Sequence, residues 1–451
     1  MNSVMWEKKR EIRADSIVFA VYLAGFLAVL ITLAALQPME NLPPRYPNPP
    51  DEHARFLVPK FICKHGYLPT GFEDEVRVPG GLDGSYAFQP MLPYIIMGYL
   101  MRLFARFSVS ADALLYVARA VNVVSGTIMA VTVYFLGKRL FQKPVWRYVF
   151  CFGIMYLPQH LFLHSYVNTE SMCMLSIALL LYALVSLYQD GPGIRNHVYL
   201  AVGATLLIQT YYNAYGYLVA GVWLYAMYYA EQEKGGRFHF RWKPFLKNAL
   251  PVVAFVILGS GWWFVREAIL LNGDFTGIRT NNEVRTGVIS PAAQGIGLLE
   301  LFRTRPAVSG LVRSAIARYG SMSINASDRY YRVYEYYLGT GLLLSLAGLR
   351  KRKEASRIRI RFHAAMLTAV LITILLWVYY VYRIDYQLQG RYILPALIPL
   401  YYYICKGYEN AASHVKNSRA ETLIGTIPVL FVVAALYHYI LKLCIPYYLM
   451  S

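Results

Sequence analysis

The sequence is poor in charged residues. Only 15% of its 451 residues are Asp, Glu, Lys or Arg, whereas 57% are apolar. A soluble globular chain carries about 25% charged residues, and the mean hydropathy here is +0.38. This composition excludes an ordinary soluble domain and predicts a protein that lies mostly within a lipid bilayer.

Cysteines are also scarce, and they do not form close-spaced pairs. The five are Cys63, Cys151, Cys173, Cys405 and Cys444. All but the first lie in apolar stretches. Neither a disulfide framework nor a cysteine metal site has this spacing, so we expect neither.

Acidic residues are outnumbered by basic ones, which gives a formal net charge of +19. In a soluble protein this excess would suggest a nucleic-acid partner. Here the basic residues fall in short segments between apolar runs, where they anchor the orientation of membrane helices. We therefore expect a lipid bilayer as the partner and no nucleic acid.

About 20 apolar residues are needed to cross the hydrocarbon core as a helix. Roughly eleven segments meet this need. They are 16–36, 111–136, 148–165, 171–188, 197–213, 215–230, 249–265, 333–349, 363–382, 392–405 and 423–446. The first follows a basic start and is too long for a cleaved signal peptide, so we interpret it as a retained signal anchor.

The stretch 88–106 is different, because Pro90 and Pro93 interrupt it and it carries Arg102 and Arg106. This pattern is typical of a helix lying along the membrane interface. The chain shows no repeat, low-complexity tract or linker, so we predict a single all-α polytopic membrane domain over 1–451.

The distribution of basic residues predicts the orientation. With the N-terminus in the cytoplasm, one set of connections carries most Lys and Arg, as the positive-inside rule requires. These basic segments lie at 138–147, 234–247, 350–361 and 406–419. The opposite, outer side receives two long loops, 37–87 and 266–332. Long loops translocate largely regardless of charge, so their arginines do not contradict this topology in the cell membrane.

Three polar clusters share the outer side. The first follows the first span and contains Asp51, Glu52, His53 and Arg55. An acidic pair this close to a span is held near the membrane surface, where a carboxylate could accept a proton from an incoming hydroxyl. The alternative is a solvated loop with incidental acids.

The second cluster, between the third and fourth spans, contains Asn168 and Glu170. Glu170 stands at the edge of an apolar helix, where an ionised group is costly unless it is paired or hydrated. Helix capping explains the same residues equally well, with Asn168 before the helix and Glu170 in its first turn.

The third cluster is Gln389-Gly390-Arg391-Tyr392, which opens the tenth span. Arginine suits phosphate because its planar fork donates two parallel hydrogen bonds and keeps its charge. The alternative is an interfacial arginine beside a tyrosine of the aromatic belt. Loop 266–332 adds arginines but no lysine, among them Arg279 and Arg285, which favours phosphate or carboxylate recognition.

Together the three clusters resemble a family of bacterial multispanning proteins placed with the GT-C glycosyltransferases. That superfamily includes protein O-mannosyltransferases, lipid A aminoarabinose transferases and oligosaccharyltransferases. The resemblance covers residues 16–405. It is carried by Pro50-Asp51-Glu52-His53, by Pro158-Gln159 with Val167-Asn168, and by Gln389-Gly390-Arg391-Tyr392 with Pro395.

The resemblance implies a GT-C-like bundle that transfers a sugar from a polyprenyl-phosphate donor to a cell-envelope glycan or lipid-linked acceptor, with inversion. It implies Asp51 as the base or acceptor-orienting acid, with Glu52 as a second candidate, and Arg391 against the donor phosphate. The other candidate substrate contacts are His53, Arg55, Asn168, Glu170, Gln389, Tyr392, Arg279 and Arg285.

The resemblance leaves the cofactor open, because some GT-C enzymes use a divalent cation and others do not. If Mg²⁺ or Mn²⁺ takes part, Asp51 and Glu170 are its candidate ligands, although the family more often has Asp at the position of Glu170.

Two other functions fit a polytopic protein. A transporter or flippase of a lipid-linked saccharide predicts charges near the midplane of several spans and broken helices in two related halves. An O-antigen-type ligase or polymerase also carries outer arginines, but it does not need an acidic pair directly after the first span.

Overall fold

The structure is a computed structural model, and it describes most of the chain. The described residues are 2–37, 49–79, 83–107, 110–232, 238–285, 289–304, 306–350, 357–415 and 417–450. Parts of both predicted outer loops, at 38–48, 80–82, 286–288 and 305, lie outside these residues. So do 233–237, 351–356 and 416, which hold some of the basic residues used to predict the orientation.

The chain is helical almost throughout. The helices are α1 (Asn2–Leu36), α2 (Glu52–His65), α3 (Leu92–Ala105), α4 (Ala111–Leu140), α5 (Pro144–Met155), α6 (Pro158–Leu163), α7 (Glu170–Asp190), α8 (Ile194–Ile208), α9 (Gly216–Tyr228), α10 (Trp242–Leu270), α11 (Ile278–Val284), α12 (Leu298–Thr304), α13 (Ala307–Ile316), α14 (Asp328–Arg350), α15 (Arg357–Arg383), α16 (Leu397–Ala412), α17 (Ser418–Tyr439) and α18 (Ile445–Met450).

Strands form only two short antiparallel hairpins within the described ranges. The first pairs β1 (Ala230–Gln232) with β2 (Phe238–Phe240), and the second pairs β3 (Arg318–Tyr319) with β4 (Ile324–Asn325). The predicted all-α fold class is therefore confirmed.

Six described helices are long and apolar enough to cross a membrane. They lie in α1, α4, α7, α10, α15 and the continuous segment from α17 to α18. Many apolar side chains on them face outward; Leu258 and Ile269 of α10, for example, are exposed. A backbone of this kind is stable in lipid because each helix satisfies its own N–H and C=O groups. The protein is a multi-pass membrane protein.

The predicted span 148–165 is broken into α5 and α6. Leu157 between them is extended, with φ −63° and ψ 122°. The following Pro158 disfavours a helical conformation at the residue before it, and proline is itself well suited to the first position of a new helix. The Leu157-Pro158 dipeptide therefore ends one helix and begins the next.

The ambiguous stretch 88–106 contains α3, which packs against α2 and α4. One side of α3 buries Met97 and Met101, whereas the other side exposes Leu100 and Leu103. The helix thus has one face in the protein and one apolar face directed outward. This amphipathic arrangement agrees with the pattern that set it apart in the sequence.

The described parts of the two predicted outer loops contain helices and contact each other. The first contains α2, and the second contains α11 to α13 and the hairpin of β3 and β4. The backbone N–H of Ser85 donates to Asn281 Oδ1 at 3.3 Å, and Arg266 donates to the carbonyl of Pro69. Hydrogen bonds therefore join the two loops directly.

Candidate functional site

Asp51 stands immediately before α2, with a left-handed backbone at φ 59° and ψ 7°. Aspartate adopts this conformation more readily than most residues, but it is still unfavourable. Such strained positions persist only where the surroundings fix them, and they cluster at functional sites. The Asp51 side chain is 36% exposed and contacts the guanidinium of Arg391.

The electrostatic surroundings of Asp51 favour its charged form. Burial alone would raise its pKa, but the neighbouring Arg391 and Arg55 guanidiniums outweigh that effect. They lower the pKa from 3.8 to about 2. Asp51 is therefore a carboxylate at neutral pH.

Arg391 lies in the 3₁₀ turn Gly390–Tyr392 that precedes α16. Its side chain is only 3% exposed, and its Nη1 is 3.7 Å from Glu170 Oε1. Nε and Nη1 are buried and have no hydrogen-bond partner among the described residues. Unsatisfied charged donors are costly, so this turn presents N–H groups that an anionic oxygen would stabilise.

Gly390 allows the Arg391 turn to reach its position. A Cβ on Gly390 would lie 2.1 Å from the backbone nitrogen of Ala315 in α13, so no larger residue fits without moving the backbone. The Gly390 N–H also donates to Ser314 Oγ at 2.9 Å. The predicted Gln-Gly-Arg-Tyr motif thus positions its arginine through a close backbone contact with α13.

Arg55 and Glu170 form a buried bidentate ion pair. Arg55 Nη2 lies 2.9 Å from Glu170 Oε1, and Nη1 contacts the other carboxylate oxygen. The Arg55 guanidinium also lies over the Tyr86 ring, 4.9 Å from its centroid. Asp51, Arg391, Glu170 and Arg55 therefore alternate in sign, and we call these four residues the charge cluster.

Glu52 faces away from the charge cluster. It is fully buried. Arg119 Nε donates to one of its oxygens at 2.9 Å and Arg119 Nη2 to the other at 2.5 Å. The N–H of Val167 donates to Glu52 Oε1 at 2.7 Å. With both oxygens engaged, Glu52 ties α2 to α4, and this placement argues against the predicted catalytic role.

Arg119 is a structural partner that the sequence reasoning missed. Its Nη1 donates to the carbonyls of Ala34 and Gln37 at 2.8 Å each, so the same guanidinium that binds Glu52 also closes the end of α1. An arginine within an apolar helix is the signal that could have shown this, because such a charge must find a partner.

Asn168 shapes the turn before α7. Its Nδ2 donates to the carbonyls of Leu163 and Tyr166 at 2.7 and 2.9 Å. Its Oδ1 accepts from the Ser171 N–H at 2.9 Å, which satisfies a free donor of the helix start. The capping alternative therefore describes Asn168 better than the substrate contact.

The remaining motif residues differ in access. His53 is exposed next to Asp51. Tyr392 donates to Gln387 Oε1 at 2.8 Å, and Gln389 Nε2 donates to the same atom at 2.9 Å. Gln389 Oε1 is buried without a hydrogen-bond partner in the described part of the chain. Of these residues, Gln389 therefore has a free hydrogen-bond acceptor two positions before Arg391 in the sequence.

The two candidate arginines of the second loop differ in burial and in their partners. Arg279 on α11 is 60% exposed and 3.9 Å from Glu283, which is a surface pair. Arg285 Nη2 lies 3.5 Å from Asp385 Oδ2, and its side chain is 21% exposed. Burial opposes the charge on Arg285, but Tyr380 and Asp385 offset this and raise its pKa.

The middle motif has a scaffolding role. Gln159 Oε1 accepts from the Arg318 N–H at 2.8 Å, and the Tyr319 hydroxyl donates to the carbonyl of Pro158 at 2.6 Å. Pro158 and Gln159 at the start of α6 thus hold β3 of loop 266–332. This attachment places α13 where Gly390 contacts it.

The charge cluster does not fit a divalent cation. Asp51 and Glu170, the expected ligands of Mg²⁺ or Mn²⁺, both face the guanidinium of Arg391, so a positive group already lies between them. No set of three or more His, Cys, Asp or Glu residues in the described ranges is arranged to hold a metal ion.

Solved structures of the oligosaccharyltransferase of Archaeoglobus fulgidus resemble this fold. The form tethered with an acceptor peptide containing the NVT sequon matches with a TM-score of 0.53 at 13% identity, over 93% of this chain and 54% of that chain. The apo form has a TM-score of 0.52 at 15% identity, over 93% and 55% of the two chains. The complex with Zn and sulfate has a TM-score of 0.50 at 15% identity, over 93% and 52%.

The chain thus spans about half the length of the oligosaccharyltransferase. No protein-family model matches the sequence, and no curated protein matches it. At such low identity the likeness shows the fold alone. That fold is the helical membrane fold of the oligosaccharyltransferase, which is one of the proteins in the superfamily that the three sequence motifs resemble.

Proposed function

We propose that this protein is a membrane glycosyltransferase. It transfers a sugar from a polyprenyl-phosphate donor to a glycan or lipid-linked acceptor on the outer face of the cell membrane, with inversion. The GT-C fold supports the general class. The observation that carries the proposal is the contact of a partly exposed carboxylate, Asp51, with a buried arginine, Arg391, that has unused N–H donors.

The transfer needs a base and a site for the leaving group. The acceptor hydroxyl oxygen attacks the anomeric carbon and forms the new glycosidic bond, and Asp51 takes the hydroxyl proton. Since general-base catalysis of this kind contributes about 10²–10⁴-fold, the role is large enough to detect. The bond from the anomeric carbon to the phosphate oxygen breaks, and its electron pair leaves with the phosphate.

Arg391 meets the charge of the departing phosphate. Its Nε and Nη1 donors are already fixed in place, and preorganised donors stabilise developing charge without reorganisation. Burial excludes water and strengthens these interactions further. Glu170 and Arg55 act as positioning residues, because their bidentate pair fixes the carboxylate that lies against Arg391.

Donor binding also changes Asp51. When a phosphate oxygen shares the Arg391 guanidinium, the positive charge acting on Asp51 is partly neutralised. The pKa of Asp51 then rises from about 2, which makes the carboxylate a better proton acceptor near neutral pH. The site is therefore expected to bind the donor before it activates the acceptor.

The test is sugar transfer by the Asp51→Asn variant in membranes. Asparagine tolerates the left-handed backbone at this position, so the fold is retained while the base is lost. With labelled polyprenyl-phosphate sugars as donors, transfer should fall by at least about 10²-fold, while donor binding persists. The matched control is Asp74→Asn, which changes a carboxylate in the same loop that is 92% exposed.

Unchanged transfer by Asp51→Asn would overturn the proposal. Saccharide movement across the membrane without glycosidic bond formation would favour the transporter alternative instead. Loss of transfer in both Asp51→Asn and Asp74→Asn would indicate a general effect of loop charge and would also contradict a specific role of Asp51.

A further inference from the structure

A cavity lies at the end of α7 that is far from the charge cluster. Its volume is about 250 Å³, and helices α4, α7, α15 and α16 enclose it. Glu170 begins α7 at the charge cluster and Gln189 borders this cavity near the end of α7. At 1.5 Å per residue the two are ~28 Å apart along the helix axis.

The interior of the cavity is apolar. Leu136, Leu181, Met366 and Ile398 are among its lining residues, and the first two and Ile398 are buried. From Gln189 at the mouth to Leu181, the recess extends ~12 Å along α7. Protein interiors are normally packed to the density of organic crystals, so an apolar recess of this depth is suited to a flexible hydrocarbon chain.

The mouth of the cavity is polar and basic. Gln189, Arg359 and His363 border it, and Arg359 is half-buried there. Arg359 is the arginine of this segment that borders the cavity. Arg361 donates instead to the carbonyls of Met227 and Ala230. Basic pockets between membrane helices on the cytoplasmic side attract anionic lipid headgroups.

We propose that this cavity binds an anionic phospholipid, with one acyl chain between the four helices and its phosphate at Arg359. Two features of the site carry this assignment. The apolar lining selects a hydrocarbon chain, and Arg359 at the border selects a negative headgroup. The predicted cytoplasmic location of this end agrees, because the cytoplasmic leaflet is rich in anionic lipid. The proposal is independent of the transfer reaction.

The experiment is lipid binding to the full chain, purified in detergent and stripped of lipid. Phosphatidylglycerol and phosphatidylcholine with identical acyl chains are titrated in, and bound lipid is counted by native mass spectrometry. The wild type should bind one phosphatidylglycerol more tightly than phosphatidylcholine. Arg359→Ala should weaken phosphatidylglycerol binding about fivefold, as expected for one basic residue near an anionic headgroup.

Matched variants distinguish lipid binding in the cavity from lipid binding to the protein surface. Arg419→Ala removes an exposed arginine at the same end of the bundle and should leave binding unchanged. Met366→Trp fills the recess and should abolish binding of both lipids. Leu367→Trp places the same ring on a neighbouring side chain that is 59% exposed and should not affect binding. Val185→Phe is a smaller filling change, for use if Met366→Trp does not fold.

Wild-type binding of phosphatidylglycerol by a folded, filled variant would overturn the proposal. So would equal affinities of Arg359→Ala and Arg419→Ala, or equal affinities of the wild type for the two lipids. The proposal is supported if Met366→Trp abolishes lipid binding while Leu367→Trp does not. It also requires that Arg359→Ala weakens phosphatidylglycerol binding while Arg419→Ala does not.

Discussion

The guanidinium of Arg391 contacts the carboxylate of Asp51, which lies 340 positions earlier in the chain. The two residues come from different elements, the start of α2 and the turn before α16. Their contact is held by Gly390 against α13 and by the Arg55–Glu170 pair. This relationship joins the first and last predicted motifs in a single site.

Arg391→Lys should weaken donor binding about tenfold. Lysine keeps the charge but loses the fork that can donate several hydrogen bonds in one plane, and one charge-assisted hydrogen bond corresponds to roughly that factor. The measurement is the affinity for a labelled polyprenyl-phosphate sugar. Arg279→Lys, on the exposed α11 surface, is the control and should bind as the wild type does. Equal affinities of the two variants would remove Arg391 from the donor site.

Arg119→Ala should destabilise the protein by about 3–5 kcal/mol, because it leaves Glu52 buried and unpaired. The measurement is thermal unfolding in detergent. The double variant Glu52→Leu with Arg119→Leu should be less destabilised than Arg119→Ala, since no uncompensated charge remains. If Arg119→Ala were as stable as the wild type, the buried ion pair would not hold α2 to α4.

The acid stability of the protein should depend on Asp51. Its pKa is lowered from 3.8 to about 2 in the folded state, so its contribution to stability is present above pH 3.8 and is lost as the pH falls towards 2. The measurement is the unfolding temperature between pH 5 and pH 2. Asp51→Asn should lose this part of the pH dependence. Identical acid profiles of the variant and the wild type would show that Arg391 does not lower the pKa of Asp51.

Gly390→Ala should abolish transfer and destabilise the fold, because its Cβ would lie 2.1 Å from the Ala315 nitrogen. The backbone must move, and Arg391 moves with it. Gly339→Ala in α14 is the control, since no described atom lies within 4 Å of its added Cβ; there alanine should be neutral or slightly stabilising. Transfer assays and unfolding of both variants give the comparison, and normal transfer by Gly390→Ala would contradict the tight contact.

Removal of divalent cations should leave transfer unchanged. Asp51 and Glu170 both face Arg391, so the guanidinium already supplies positive charge where a cation would bind. The measurement is the transfer rate in EDTA before and after added Mg²⁺ or Mn²⁺. A rate that falls in EDTA and returns with metal would show that Arg391 moves aside for a cation.

Several parts of the fold and site could be predicted from local sequence. Apolar length predicted about eleven spans, and six of these coincide with described helices that are long and apolar enough to cross a membrane. The Leu157-Pro158 dipeptide explains why the predicted span 148–165 is broken. Each of the three motifs contributes a residue to the charge cluster, namely Asp51, Glu170 and Arg391. The roles of Asp51 and Glu52 could not be separated, because the left-handed backbone at Asp51 sends neighbouring carboxylates to two different arginines.

By itself, the sequence determined that this protein lies in a membrane and where six of its long apolar helices run, because apolar length acts locally along the chain. Only the tertiary structure decided which charges meet. Glu52 pairs with Arg119 and Asp51 with Arg391 because helix packing brings distant segments together in a medium where a buried charge without a partner is unfavourable. Pairing over such separations leaves no periodic signal in the sequence.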